Sequence, residues 1–438
     1  MRITTTMKRR TSGLIMLGIG LTLAVPATAQ MPQTAAAAAA FLVAAAVAAG
    51  DYDEVPRDRS AKDILPAGVL KGAFYRVRDV VPTDGYTDQW KVDSDFGLFE
   101  VDGDGALRKL IGEIHAISEL KKVSKTEAFA KGLRAATRAP IGFAKSLFTH
   151  PVATVSGVPK GAYQIVENAA TSATTTRDPS EDAKVAQVLK MSSFKRDLAA
   201  KLDVDVYTSN KVLQKELNSV AWAATLGDLA VSVTMMPAGV GGSVVSGVRT
   251  VSSVKNALKE EPPGRLRIIN DEKLTKIGMP EGLRKRFLDH PVFTSRHDTI
   301  IASNLEALTD ARGRDKFLTV ALGAQDEAEA NLYAGMVQLL RGYHETVSHV
   351  TTITPLNRIT VAQTKGGPAL IALPIDRMIW TQRVERAISQ LKTHSAPGFN
   401  GKLELWLTGT VSPRARQELA ARGFSIVERA HTRVAMLE

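Results

Sequence analysis

The end of the chain carries the pattern that most restricts the possible folds, a helix enclosed between two short apolar segments. The segments Leu403–Leu407 and Phe424–Val427 have the length and composition of strands. Between them, Ser412 is a typical N-cap residue, Pro413 follows at the first helical position, and Gly423 stands where a helix C-terminus favours glycine. Consecutive strands joined through a helix normally lie parallel in one sheet, connected by a right-handed crossover. The sequence therefore predicts a β–α–β unit.

The surrounding region, 349–438, fits an α/β domain built on this unit. Apolar runs on either side of a Lys-Gly-Gly sequence predict a β-hairpin over 359–373. Helical periodicity then predicts a helix over 376–391, with Trp380 inside it. The C-terminal domain should therefore combine a hairpin with parallel strands.

Upstream of this domain, the spacing of apolar residues predicts two other regions, one after the other. Short β-branched and aromatic runs separated by turn residues predict a small antiparallel β-meander within 63–104. Apolar residues recur at helical spacing from Leu107 to Ile117, and similar stripes continue through 105–348. The predicted fold class is thus mixed α+β, with a β-meander, a mainly α-helical middle and a C-terminal α/β domain.

The chain contains no cysteine, which removes several functional classes at once. Disulfide scaffolds, cysteine-ligated zinc sites, iron–sulfur clusters and thiol catalysis all require this residue. The hydrophobic share of 44% and the charged share of 23% are ordinary for globular proteins, and the formal net charge is +11.

The amino terminus has the three parts of a secretory signal peptide. A basic start is followed by an uncharged stretch and by small residues at Ala27 and Ala29, the pattern that signal peptidase cleaves. We expect residues 1–29 to be removed and the mature chain, beginning at Gln30, to be periplasmic or otherwise envelope-associated. A retained membrane anchor is the alternative. Export also argues against nucleic acid as a partner.

Two further uncharged segments bear on membrane contact. Residues 31–50 are uncharged and alanine-rich, and with the charged residues 51–62 they predict a spacer and linker over 30–62. Membrane contact of 31–50 is the alternative. The segment 229–248 has no charged residue, but Pro237 and several glycines dilute its apolar character. We interpret 229–248 as a tightly packed helical hairpin within the helical region, with membrane insertion as the alternative.

Basic residues concentrate between 105 and 165, where ten of them stand against three acidic residues. At helical spacing, several of these residues share one face, and apolar residues lie on the other side. This combination is typical of a membrane-surface helix, and a solvated face of a helix bundle is the alternative. The candidate membrane-surface residues are Lys131, Arg134, Arg138 and Lys145. Anionic lipid or another envelope protein is the expected partner.

Three patterns resemble metal or catalytic sites, and each lacks a required feature. His344 and His349 are five residues apart, so they diverge on a helix unless it ends between them, and exposed histidines at a helix terminus are expected. A calcium loop would use the carboxylates of Asp102, Asp104 and Glu113, but its glycine position is occupied by leucine. A metal phosphohydrolase would need more ligands than the dipeptide His297-Asp298 supplies. The sequence therefore predicts no catalytic residue, no metal and no cofactor.

The start of the last helix is the best small-ligand candidate. Helix N-termini attract anions through free N–H groups and the helix dipole, and two arginines would add to this attraction. The candidate anion- or ligand-binding residues are Thr408, Ser412, Arg414 and Arg416. Simple capping by Ser412 is the alternative.

These observations predict an exported cell-envelope protein that acts as a non-catalytic binding or scaffold protein, in peripheral contact with an anionic membrane surface. The alternative is a periplasmic, hydrolase-like enzyme with a pocket between the helical region and the C-terminal domain. Convergence of polar and titratable side chains in one concave pocket would distinguish the enzyme from the binding module.

Overall fold

The computed structural model describes residues 54–137, 179–227, 231–233, 249–393 and 402–437. The predicted signal peptide, the alanine-rich stretch after it and most of the apolar segment 229–248 lie outside these residues.

The N-terminal part of the described chain is a small β-structure. Its elements are β1 (Arg59–Ser60), α1 (Ala61–Ile64), α2 (Ala67–Leu70), β2 (Tyr75–Val77), β3 (Val80–Val81), β4 (Gln89–Ser94) and β5 (Gly97–Asp102). Strands β2, β4 and β5 form an antiparallel sheet in that order, and β1 pairs with β3. The predicted meander is confirmed. The end of the predicted linker belongs to this fold, since β1 lies in it and Ala61 is fully buried.

The middle region consists of helices, as predicted. They are α3 (Asp104–Ser124), α4 (Glu127–Thr137), α5 (Pro179–Lys201), α6 (Lys211–Gly227), α7 (Arg249–Glu260), α8 (Pro263–Lys276), α9 (Glu281–Leu288), α10 (Ser295–Ala307), α11 (Arg314–Ala321) and α12 (Glu327–Thr346). The apolar stripe of α3 covers the meander, where Leu107 and Ile111 pack with Trp90. Helix α4 lies very close to α6, because a Cβ atom at Gly132 would stand 2.6 Å from the carbonyl oxygen of Ala223.

The C-terminal region contains a mixed five-stranded sheet. Its elements are β6 (Val350–Leu356), β7 (Ile359–Thr364), β8 (Ala369–Leu373), β9 (Arg377–Met378), α13 (Gln382–Thr393), β10 (Leu403–Leu407), β11 (Thr410–Val411), α14 (Pro413–Ala421), β12 (Phe424–Val427) and a 3-10 turn (Ala430–Thr432). The strand order is β6-β7-β8-β10-β12, with β8, β10 and β12 parallel and the hairpin strands β6 and β7 antiparallel. The predicted hairpin and β–α–β unit are both confirmed.

The start of α13 differs from the prediction. Its first residue is Gln382 rather than Asp376, so Trp380 precedes the helix. The reason is tertiary: Arg377 and Met378 form β9, which pairs in parallel with β11, and a backbone committed to this pairing cannot also begin a helix.

Helices cover both faces of the sheet. On one face, Tyr343 of α12 packs edge-to-face on Trp406 at 5.0 Å and donates a hydrogen bond to Glu404. Side chains of α13, among them Val384 and Ile388, meet the residues of alternate parity, such as Leu405, on the opposite face. The main apolar core runs without a break from the helices α8–α12 into this sheet.

Among the helices that the structure describes, none is both long enough and apolar enough to cross a bilayer.

Candidate functional site

A cavity of about 770 Å³ lies between the helical region and the C-terminal sheet. The first turns of α3 and α12 form one side, and the segments after β8 and β10 form another. This is the carboxyl edge of the parallel strands, where α/β sheets usually bind ligands. Nine acidic and four basic residues line the cavity, although the whole chain carries a net charge of +11. The cavity is therefore an acidic site in a basic protein.

Asp376 is placed in this cavity by the end of β8. Its backbone N–H donates to the carbonyl of Tyr86, and its carbonyl accepts from the N–H of Thr410. Gly409 makes this arrangement possible, because a Cβ atom there would stand 1.8 Å from the Asp376 carbonyl oxygen. Two other segments of the chain thus fix the backbone of Asp376.

The side chain of Asp376 caps a helix that is distant in sequence. Helix α3 begins after Gly103, which has no side chain to accept from the first N–H groups. Asp376 supplies the acceptor instead, because its Oδ1 accepts from the N–H of Asp104 at 2.9 Å. Its Oδ2 accepts from the N–H of Asp88, the residue before β4, at 2.9 Å. A carboxylate at this position is also favoured by the dipole of α3.

These contacts bring three aspartates together. One carboxylate oxygen from each of Asp88, Asp104 and Asp376 lies within 4.8 Å of the other two. Asp88 is fully buried, and its Oδ2 pairs with Arg59 at 2.5 Å, whereas its Oδ1 has no hydrogen-bond partner among the described residues. Asp104 Oδ1 accepts from Trp90 Nε1 at 3.1 Å. We call these three residues the aspartate cluster.

The environment of the aspartate cluster disfavours its negative charges. Burial raises the pKa of Asp88 to about 6, although Arg59 opposes the rise. Burial also raises the pKa of Asp104, against the attraction of Arg108. The pKa of Asp376 is raised well above its ordinary value by burial and then by the charge of Asp104. Burial thus makes it costly to ionise all three carboxyl groups of the cluster at once.

A second group of buried charges stands along the cavity wall. Asp205 lies 3.1 Å from Lys109 and 3.7 Å from Arg296, and these cations overcome the raising effect of burial and lower the pKa of Asp205 to about 2. The carboxylate of Glu113 accepts hydrogen bonds from Thr208 and from Asn210. All these charges have partners, so this group stabilises the wall.

Two of the predicted anion-site residues have different roles, one at the cavity and one at the start of α14. Thr408 lines the cavity and donates a hydrogen bond to the carbonyl of Ile375. Ser412 caps α14 by accepting from the N–H of Ala415, and its hydroxyl also donates to Glu54.

The two arginines of that site pair with carboxylates of the protein itself. Arg414 pairs with Glu418 at 2.9 Å, and Arg416 pairs with Glu428, which also accepts from the N–H of Val411. The capping alternative is thus present in the structure, while anion binding stays a prediction.

The predicted membrane-surface residues are described in part. Lys131 and Arg134 are exposed on α4, whereas Arg138 and Lys145 lie outside the described residues. Phe129, on the apolar side of α4, is buried against neighbouring helices. Earlier in the basic segment, Lys121 pairs with Glu216 at 3.1 Å. Contact of α4 with a membrane would therefore be electrostatic.

The histidine pair lies at a helix terminus, as expected, and His349 is exposed. Helix α12 ends at Thr346, between the two residues, and the chain then turns back, so Nε2 of His344 lies 3.2 Å from Nδ1 of His349. His344 is buried rather than exposed, and its Nδ1 accepts from the N–H of Val350. His297 has a structural role, since it belongs to the capping box of α10.

Comparisons of the chain with models of known protein families, with curated proteins and with solved structures found no match. The site itself is thus the basis for inferring a function.

Sequence reasoning missed two of the three clustered aspartates. Asp104 entered only as part of a calcium loop with Asp102 and Glu113, which the structure does not assemble. Asp376 had a usable signal, a carboxylate shortly after an apolar strand, but its assignment to a helix hid that signal. For Asp88 the sequence offers no comparable signal.

Proposed function

We propose that this protein is a hydrolase of the cell envelope, with the acidic cavity as its active site and the aspartate cluster as its reactive centre. The convergence of Asp88, Asp104 and Asp376 within 4.8 Å carries this proposal. Two of these residues, Asp104 and Asp376, line the cavity. Enzymes, unlike most binding modules, bring polar and titratable groups together in one pocket. The cluster lies at the carboxyl edge of parallel strands, where such pockets usually form.

The size and charge of the cavity agree with this function. A volume of about 770 Å³ is in the range that accommodates small-molecule ligands. Carboxylates beside such a space can bind and orient a water molecule, which then attacks a bond of the substrate. Buried ion pairs hold the adjacent wall together, since Asp205 is paired with both Lys109 and Arg296. A rigid wall keeps substrate and water in a fixed relative position.

Activity is tested with chromogenic p-nitrophenyl esters, phosphates and glycosides. We expect the protein to hydrolyse at least one of these classes and Asp376→Asn to abolish the reaction. Glu281→Gln is the control, because Glu281 is exposed on α9 and pairs with Lys285 on the same helix. No turnover in any class, or equal turnover by the Asp376 variant, would contradict the proposal.

The location of the protein is part of the same proposal and has its own test. The motivation is the basic start, the uncharged stretch and the small residues at Ala27 and Ala29. N-terminal sequencing of protein from an envelope fraction should give Gln30 first. Recovery of the chain with Met1 in place would refute cleavage.

A further inference from the structure

We propose that Asp88, Asp104 and Asp376 together bind one hard divalent cation at the wall of the cavity. The ion would be the group through which the cluster activates water, so its catalytic role rests on the proposed function. Its binding does not, and can be measured without any substrate.

The geometry of the cluster fits a single ion. Calcium binds oxygen ligands at about 2.4 Å, so two ligands on opposite sides of one ion lie about 4.8 Å apart. One oxygen from each of the three aspartates falls within this limit. Carboxylate oxygens are the ligands that Ca²⁺, Mg²⁺ and Mn²⁺ prefer. Asp104 and Asp376 line the cavity, which gives an ion a route to the site and leaves room for water ligands.

An unsatisfied oxygen points independently to a missing partner. Asp88 is fully buried, and its Oδ1 has no hydrogen-bond partner among the described residues. A buried carboxylate oxygen in this state costs free energy that a cation would recover. Arg59 pairs with Asp88, and Arg108 is the strongest of the charges that attract Asp104. A bound cation would add positive charge beside three carboxyl groups whose burial makes ionisation costly.

The ligands are also held in place before an ion arrives. The two N–H groups that bind the Asp376 carboxylate fix its plane, and each of its oxygens keeps a second lone pair. The indole of Trp90 holds Asp104 in the same way. Such supporting hydrogen bonds are typical of metal sites and strengthen ion binding.

The position of Trp90 allows the ion to be located by spectroscopy. Its Nε1 is 3.1 Å from Asp104 Oδ1, so an excited Trp90 would transfer energy to Tb³⁺ bound in the cluster. We expect chelator-treated protein to show sensitised terbium emission that Ca²⁺ or Mn²⁺ displaces, and calorimetry with these ions to give one site per chain. Trp90→Phe should lose most of the emission while calorimetry still shows Ca²⁺ or Mn²⁺ binding.

Asp104→Asn tests ligation directly and keeps an acceptor for Trp90. We expect its affinity for the cation to fall at least about tenfold. Glu327→Gln is the matched control, because Glu327 lines the same cavity outside the cluster, and removal of its charge should change the affinity by less than about twofold. A thermal melt of each variant without cation verifies that it is folded.

The possible results separate this inference from the proposed function. Absence of calorimetric heat and terbium emission, or equal binding by the Asp104 and Glu327 variants, would overturn the cation site. Hydrolysis that persists in EDTA would also overturn the catalytic role of the ion while supporting the hydrolase. Cation binding with no hydrolysis in the substrate panel would support the site and refute the hydrolase.

Discussion

Lys195 offers a quantitative test of the packing between α5 and α6. Its side chain is 5% exposed, and Nζ donates to Gln214 Oε1 at 2.6 Å. Among the described residues, no carboxylate lies within ion-pair distance of it. Burial lowers the pKa of Lys195 to about 7. Methionine has an unbranched side chain of similar length but no charge. Lys195→Met should therefore stabilise the protein at neutral pH.

The magnitude follows from the two pKa values. The decrease of the Lys195 pKa from 10.5 to about 7 means that the charged side chain lowers the unfolding free energy by about 5 kcal/mol at a pH where it is fully charged. Between these values the unfolded chain binds a proton that the folded protein does not, so the stability of the wild type rises with pH. The rise from pH 7 to pH 9 is about 2 kcal/mol. The methionine variant leaves Gln214 Oε1 without its donor, which costs about 1–3 kcal/mol.

We therefore expect Lys195→Met to be more stable than wild type by roughly 2 kcal/mol at pH 7 and nearly equal to it at pH 9. Urea unfolding followed by tryptophan fluorescence measures this difference, since all four tryptophans are buried. Lys190→Met is the control, because Lys190 is exposed on the same helix and its removal should produce no pH-dependent gain. A difference between Lys195→Met and wild type that stays constant from pH 6 to 9 would refute the reasoning.

Three further predictions concern other parts of the fold. Gly409→Ala should lower the unfolding free energy by about 3 kcal/mol, because its Cβ atom would collide with the Asp376 carbonyl; an unchanged thermal midpoint would contradict this close approach. Ser412→Ala should cost about 1 kcal/mol in urea unfolding through loss of the α14 cap, and no loss would show that the cap is dispensable. The protein should sediment with anionic vesicles at low salt, and the double substitution of Lys131 and Arg134 by glutamine should weaken this binding about 30-fold, at roughly 1 kcal/mol per residue. Equal binding by both forms would mean that the face is merely solvated.

Elements whose signals are local could be predicted from the sequence alone. Ser412 and Gly423 mark the ends of α14 because capping depends on hydrogen bonds within a few residues of the helix terminus. The flanking strands follow from apolar composition, and the parallel pairing of Leu403 with Phe424 follows from the crossover rule. The helical middle was likewise evident, because its apolar stripes repeat at helical spacing.

Partners that are distant in the chain were decided by the tertiary structure. The sequence shows an excess of basic residues around Lys109 and Lys121, but it does not show that Asp205 and Glu216 neutralise them. The apolar residues after β8 repeat at helical spacing, so the sequence predicts a helix there. Pairing with β11 makes Arg377 and Met378 a strand instead.

The aspartate cluster is the strongest instance of this difference. Asp88 precedes a strand of the meander, Asp104 begins a helix, and Asp376 follows a strand 288 residues after Asp88. Nothing in the sequence indicates that these three residues meet. Capping and periodicity act over a few residues, whereas the convergence of charges depends on how whole elements pack against one another.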